Sequence, residues 1–329
     1  MKQPLAIVAA IAALGCIPLL NPSNVTLNFL VVALLIALAG QGWNILGGYG
    51  GQYSFGHAVF FGTGAYTSAI LQVRYGVNAW IGFAAGIFAG SIVGALIGFL
   101  TFRSGLRGSY FALVTLAFAE VFRILASIAP ITGAGVGTLI PLDIRPATFQ
   151  FASRAAFFWV ILALVAISLL IAYRIERTRF GAWLTAVREN EDGARALGVD
   201  VVAVKLGAMA ISASITAAAG CFYVQYFLFV DSSIGFGSWI SIEALLAPII
   251  GGAGTVLGPL LGALVVRLVG EAAKLVAGDA PGVDLAIYGM VLIAVVAFAP
   301  RGIVGLIANA YQRLRRLPPQ VVAGGLDHG

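Results

Sequence analysis

The residues best equipped for chemistry are a few charges embedded in long apolar runs. Glu120 and Arg123 stand three apart in GSYFALVTLAFAEVFRILASI, a spacing that lets them pair across one helical turn. Arg267, Glu271 and Lys274 repeat the device at spacings of four and three. Glu243 has no basic residue one turn away along its own run. Such runs are long enough to enter a bilayer, where an ion costs roughly 2.5–3.5 kcal/mol on insertion scales, so each charge needs a partner or an aqueous cavity. Local pairing accounts for the first two clusters more simply than transport does. Glu243, toward the outer end of a short run, is expected to be wet.

His57 sits alone in the glycine-rich run GGYGGQYSFGHAVFFGTGAY, and the other histidine is His328 in the tail. A metal site built on imidazoles is therefore not expected, and hydrogen bonding between helices is. No Lys follows these glycines and GxxxxGK[ST] occurs nowhere, so any nucleotide hydrolysis belongs to another subunit. No chain of Asp, Glu and His threads successive runs, which counts against a proton relay.

The elements that must carry these residues follow from composition. Of 329 residues 60% are hydrophobic and 10% charged, with a mean hydropathy of +1.01. That leaves too few charges to clothe a soluble globule, and excludes disorder as well. The 42 glycines and 12 prolines are dispersed without a period, as in helices that approach closely in lipid. Cys16 and Cys221 lie in distant apolar runs and make no disulfide framework. The net charge of +6 is read as a topology signal rather than as nucleic-acid affinity.

An all-α polytopic membrane protein of about ten helices is expected. The runs lie near residues 4–20, 25–46, 54–73, 78–101, 108–129, 156–173, 205–230, 238–251, 255–277 and 283–300. With both termini inside, 13 of the 19 Lys and Arg fall on the cytoplasmic side, three outside (Arg74, Arg145, Arg154) and three within spans (Arg123, Arg267, Lys274), the bias the positive-inside rule asks for. The run 238–251 is short and ends at Gly251, Gly252 and Gly254, so it is either a short crossing or re-entrant; the charge bias favours crossing. The first run is read as a retained anchor helix, although Ala13–Cys16 loosely mimics a lipoprotein cleavage box. Residues 1–316 form one transmembrane domain and 317–329 a disordered tail.

Gly82, Gly86, Gly90, Gly94 and Gly98 recur every four residues, and Gly254, Gly258 and Gly262 form a second, shorter ridge; both are close-packing signals. The longest polar interruption is the loop 174–204. Phe180, Trp183, Leu184 and Val187 fall at helical spacing. A charged turn, Arg188 to Asp192, follows, and then a second short helix over 194–197, capped by Gly198. Glu189, Glu191 and Asp192 oppose binding to anionic lipid, so the loop is expected to dock on protein rather than on head groups.

Several long collinear segments, NILGGYGGQYSFGHAVFFGTGAY from Asn44, RGSYFALVTLAFAEVFR from Arg107, RFGAWLTAVRENEDGARALGVDVVAVK from Arg179, SIEALLAPIIGGAGTVLGPLLGA from Ser241 and PRGIVGL from Pro300, resemble the LivM-type membrane permeases of bacterial ABC importers for branched-chain amino acids. The likeness covers nearly the whole chain. It departs at Ala134, where a glycine is expected in the outer loop, and at Ala182, where a basic residue is common.

The resemblance implies a type II-like ABC importer permease fold in the bacterial inner membrane. Its partners would be a homologous second permease, two cytoplasmic ATPase subunits that bind the ATP, and a periplasmic substrate-binding protein, besides the surrounding lipid and without nucleic acid. No cofactor is expected on this chain, which is not itself an enzyme. The coupling loop would use Arg188, Glu189, Asp192, Ala196, Leu197 and Gly198, and the translocation path would be lined in part by Ser54, His57, Thr63, Thr115 and Glu243. A sister permease for urea, short amides or other small organic solutes shares the same coupling features. A secondary transporter with broken helices near Gly50 and Gly251 is a third reading, but the paired midplane ions it calls for are absent from the sequence.

Overall fold

The computed structural model describes residues 2–20 and 22–277, together with 286, 287, 289, 290, 293 and 302–306. The expected span at 283–300 lies almost wholly outside the described residues, and the tail 317–329 wholly so.

The described chain is helical nearly throughout. The long helices are α1 (Lys2–Cys16), α2 (Asn24–Trp43), α3 (His57–Tyr75), α4 (Ala79–Arg103), α5 (Gly108–Ile128) and α6 (Arg154–Glu176). The short α7 (Arg179–Glu189) and α8 (Glu191–Ala196) follow, then α9 (Val201–Phe227), the single turn α10 (Ser232–Gly235), α11 (Ser238–Gly251) and α12 (Gly258–Ala277). Where helices begin, short polar side chains take up the orphan amides: Ser23 accepts from Thr26 N, Asn78 from Trp80 N, Ser153 from Ala156 N and Asp200 from Ala203 N.

Among the described residues six stretches are long and apolar enough to cross a membrane, namely Asn24–Tyr49, Ala79–Arg103, Gly108–Ile128, Arg154–Glu176, Val201–Phe227 and Ser232–Gly251. The protein is thus a multi-pass membrane protein. Helices also overlie the expected runs at 4–20, 54–73 and 255–277, but α1 is short, α3 is diluted by polar residues and α12 carries three charges. The short run at 238–251 is a 14-residue helix that the turn α10 precedes.

α2 is the central helix, enclosed by α6, α9, α11 and α12, while α3 and α4 close on α9. The glycine ridge of α4 is what brings it there. A Cβ at Gly90 would run into the Ala217 methyl, one at Gly94 into that of Ala213, and one at Gly86 into the Cys221 thiol. The second ridge is shorter than its spacing suggests. Gly258 and Gly262 press against the carbonyls of Gly252 and Ala247, but Gly254 lies in the loop before α12, at φ 73°, because the chain must turn there to leave α11.

Loops segregate to two ends. At one end Thr138–Leu139 (β1) pairs antiparallel with Phe229–Val230 (β2), Asn78 donates to Ala147 O (3.0 Å), Trp80 Nε1 to Pro146 O (2.9 Å) and Arg154 to Asn24 O (3.0 Å). There the exposed carboxyl of Asp143 is held below the usual carboxylate range by its hydrogen bond to Arg145. The loops around Gly50, Arg107, Asn190 and Gly254 meet at the other end. Ala134 adopts φ 50°, a left-handed conformation that explains why glycine is expected at this position. Because this conformation costs an alanine roughly 1–2 kcal/mol and glycine recovers all but its own 0.5–1 kcal/mol of chain entropy, Ala134→Gly should stabilise the protein by about 0.5–1 kcal/mol. An unchanged or lower unfolding midpoint in detergent would contradict this.

Candidate functional site

The end where the loop 174–204 emerges is organised around an elbow of two helices at nearly the positions the sequence suggests. Thr178 caps α7 by accepting from Gly181 N (3.4 Å), and Leu184 and Val187 bury its apolar face. Trp183 does not join that face; it is 45% exposed. Residue 190 rather than Gly193 divides the two helices. Asn190 is extended (φ −155°) and its Oδ1 accepts from Gly193 N (2.8 Å), so α8 begins at Glu191, earlier than the expected 194, and encloses Gly193. Gly198, at φ 84°, ends the unit in a left-handed turn, its N–H bonded to Arg195 O (3.0 Å).

Charges fasten this elbow inward. Glu191 contacts both Arg107, from the α4–α5 loop, and Lys205, from the first turns of α9; the Glu191 and Lys205 side chains are 10% and 4% exposed. Asp192 accepts from Arg107 (3.3 Å) and Arg195 (3.4 Å). Lys205 also lies 5.5 Å from the Phe102 ring centroid. Arg188 pairs with Glu189 (2.7 Å) and reaches across to donate to the Gly48 carbonyl (3.0 Å).

Gly48 belongs to a π-helical turn, Asn44–Tyr49, that continues α2. π turns expose backbone groups and tend to mark functional positions. The buried Asn44 side chain accepts from Gly254 N (2.8 Å) and donates to Thr255 O (3.0 Å), and Tyr49 Oη donates to Glu176 Oε1 (2.7 Å) at the end of α6. The elbow, the π turn and the loop between α11 and α12 therefore form one hydrogen-bonded junction. Through it α7 is hydrogen-bonded to the π turn, which is bonded in turn to the loop at Gly254.

Outward, the elbow offers apolar surface. Leu197 is 85% exposed, and with Phe180, Trp183, Gly198, Val199 and Ala203 it borders a groove of about 460 Å³. Ala196 ends α8 beside it.

Most of the residues expected along a path are buried within this chain. Ser54, His57 and Thr115 are enclosed. Ser54 Oγ accepts from Gly56 N (3.1 Å), His57 Nε2 lies 2.9 Å from Ser212 Oγ, and Thr115 Oγ1 accepts from Phe55 N (3.1 Å). Together they seat the start of α3 against its neighbours. Half-buried Thr63 bonds its own helix at Val59 O (2.7 Å). Glu243, expected to be wet, is only 9% exposed. Arg267 pairs with Glu271 (2.7 Å), as its spacing suggests. Arg107, Glu191, Lys205 and Asn44 were not legible as a site. Their pairings join residues far apart in sequence, and local spacing carries no sign of them.

Residues 25–296 match the family described as branched-chain amino acid transport system / permease component. The chain is 27% identical to the high-affinity branched-chain amino acid transport system permease protein LivM of Salmonella typhimurium and to that of Escherichia coli K12, over 92% of this chain and 75% of each relative. It is 30% identical to the autoinducer 2 import system permease protein LsrC of Escherichia coli O157:H7, over 50% of this chain and 49% of that one. No solved structure matches. Helices able to cross a membrane and a family match over most of its length make this chain a member of the branched-chain amino acid transport permease family, a non-enzymatic transporter subunit.

Proposed function

We propose that this chain is one permease half of an ATP-driven importer for branched-chain amino acids in the bacterial inner membrane. It crosses the bilayer about ten times with both termini inside, in the type II-like ABC permease arrangement, beside a homologous second permease. A periplasmic binding protein delivers the substrate, and two cytoplasmic ATPase subunits bind and hydrolyse ATP. The observation that carries this reading is the elbow of α7 and α8, which is tied inward by Glu191 and Arg188 while Leu197 and Trp183 face outward. A stiff lever with an apolar outer face is what a partner's closure needs in order to bias two states of the bundle. Basic residues support the sidedness: Arg103, Arg107, Arg174, Arg177, Arg179, Arg188, Arg195 and Lys205 cluster at the elbow's end, against Arg74, Arg145 and Arg154 at the other.

Leu197 gives the cleanest test, since Gly198, Glu189 and Asp192 also hold the elbow's shape. Leu197→Asp should leave the fold intact and sharply reduce co-purification of the ATPase subunits in mild detergent, with ATP-dependent leucine uptake falling in parallel. Normal recruitment and uptake would remove the elbow from the mechanism. Uptake by the lone chain driven by an ion gradient would remove the importer reading altogether. The likeness to LsrC favours one second reading, an importer of the same construction for another small organic solute, urea and short amides included; uptake assays across such solutes separate the two.

A further inference from the structure

Among the described membrane spans α5 is the least enclosed. Its back packs through Phe111, Thr115, Ala119 and Ala126, with Phe118 and Phe122 partly buried beside them, and one face is left open. On that open face lie Glu120 and Arg123, with side chains 52% and 36% exposed, joined by two hydrogen bonds: Arg123 Nε to Glu120 Oε2 at 2.9 Å and Nη2 to Oε1 at 2.5 Å. Arg123 lies near enough to the helix end for its long side chain to reach an interface. Glu120 is eight residues inside that end, about 12 Å at 1.5 Å per residue, beyond what its short side chain can span. A carboxylate at that depth, even paired with Arg123, is costly against lipid, so the face it occupies is expected to border protein or water rather than acyl chains.

We propose that the Glu120–Arg123 pair is a recognition site for the zwitterionic backbone of the transported amino acid, on a face of α5 that lines the path. This rests on the importer reading above and assigns it a substrate contact. The guanidinium matches a carboxylate in bidentate fashion and the carboxylate matches an ammonium. A zwitterion can slip between the two by exchanging one internal ion pair for two intermolecular ones. The net charge in the membrane is zero before and after, so entry and release are both easy, as a transport site requires. Leu116, one turn before Glu120, and Ile124, one turn after it, are 41% and 46% exposed and give the substrate's aliphatic side chain an apolar bed.

The test uses the importer assembled with its partner subunits. If the pair is only structural, Glu120→Gln together with Arg123→Gln removes two charges from the membrane and uptake stays normal. If it reads the substrate, leucine uptake falls by roughly tenfold to a hundredfold while ATPase recruitment is unchanged. Independently, Glu120→Cys in a Cys16→Ser background should react with an impermeant cationic thiosulfonate, because position 120 borders the aqueous path. Normal uptake by the double variant, or a cysteine at 120 that never reacts, overturns the proposal. If the double variant fails to reach the membrane, the labelling result decides. Absence of ATP-dependent leucine uptake by the unaltered complex would instead refute the importer reading itself.

Discussion

Replacing Glu191 with leucine is expected to destabilise the protein by about 3–5 kcal/mol, because it strands the buried ammonium of Lys205. The two side chains are 4% and 10% exposed and in direct contact, and Lys205 is further walled in by Phe102. Arg107, at 48% exposure and with Asp192 beside it, should tolerate the loss, so nearly all of the effect belongs to Lys205. The double replacement Glu191→Leu with Lys205→Met should therefore recover most of the stability, since a buried ion pair and a well-packed apolar pair of similar volume are often comparable. Thermal unfolding in detergent measures both. If the double variant is as unstable as the single one, the pair is not the stabilising contact.

Asn44→Ala should be the second most damaging change, and its effect should reach function as well as stability. Asn44 is fully enclosed and bridges the α2 extension to Gly254 and Thr255, 210 and 211 residues away, through two hydrogen bonds. Removing the amide leaves a backbone N–H and a carbonyl without those partners, at about 1–3 kcal/mol each. It also uncouples the loop between α11 and α12 from the turn that Arg188 touches. On the proposed importer reading, ATPase recruitment should persist, because the outer face of the elbow is untouched. ATP-driven uptake should fall, and hydrolysis should continue without transport. Loss of recruitment and uptake together would show instead that the junction shapes the docking face.

Much of the architecture is local and was therefore readable. Apolar runs of bilayer length, polar caps such as Ser23 and Asn78, and a four-residue glycine period on α4 are one-dimensional signals, and the helices form where they indicate. The elbow was readable too, but its division was misplaced. The amide of Asn190 caps the second helix strongly enough to carry Gly193 into it, against that glycine's weak helix propensity. Ala134, noted as a departure from the family pattern, proved to occupy a left-handed turn.

The sequence by itself determined that this chain spans a membrane, that it carries no phosphate loop, and that its elbow is the polar unit between α6 and α9, because hydropathy, helical period and motif spacing are properties of neighbouring residues. Only the tertiary structure decided which charges are shared and which are shown. Burial depends on what packs from elsewhere in the chain: Glu243 is enclosed within the bundle, Arg107 and Lys205 converge on Glu191, and the Glu120 side chain is left 52% exposed.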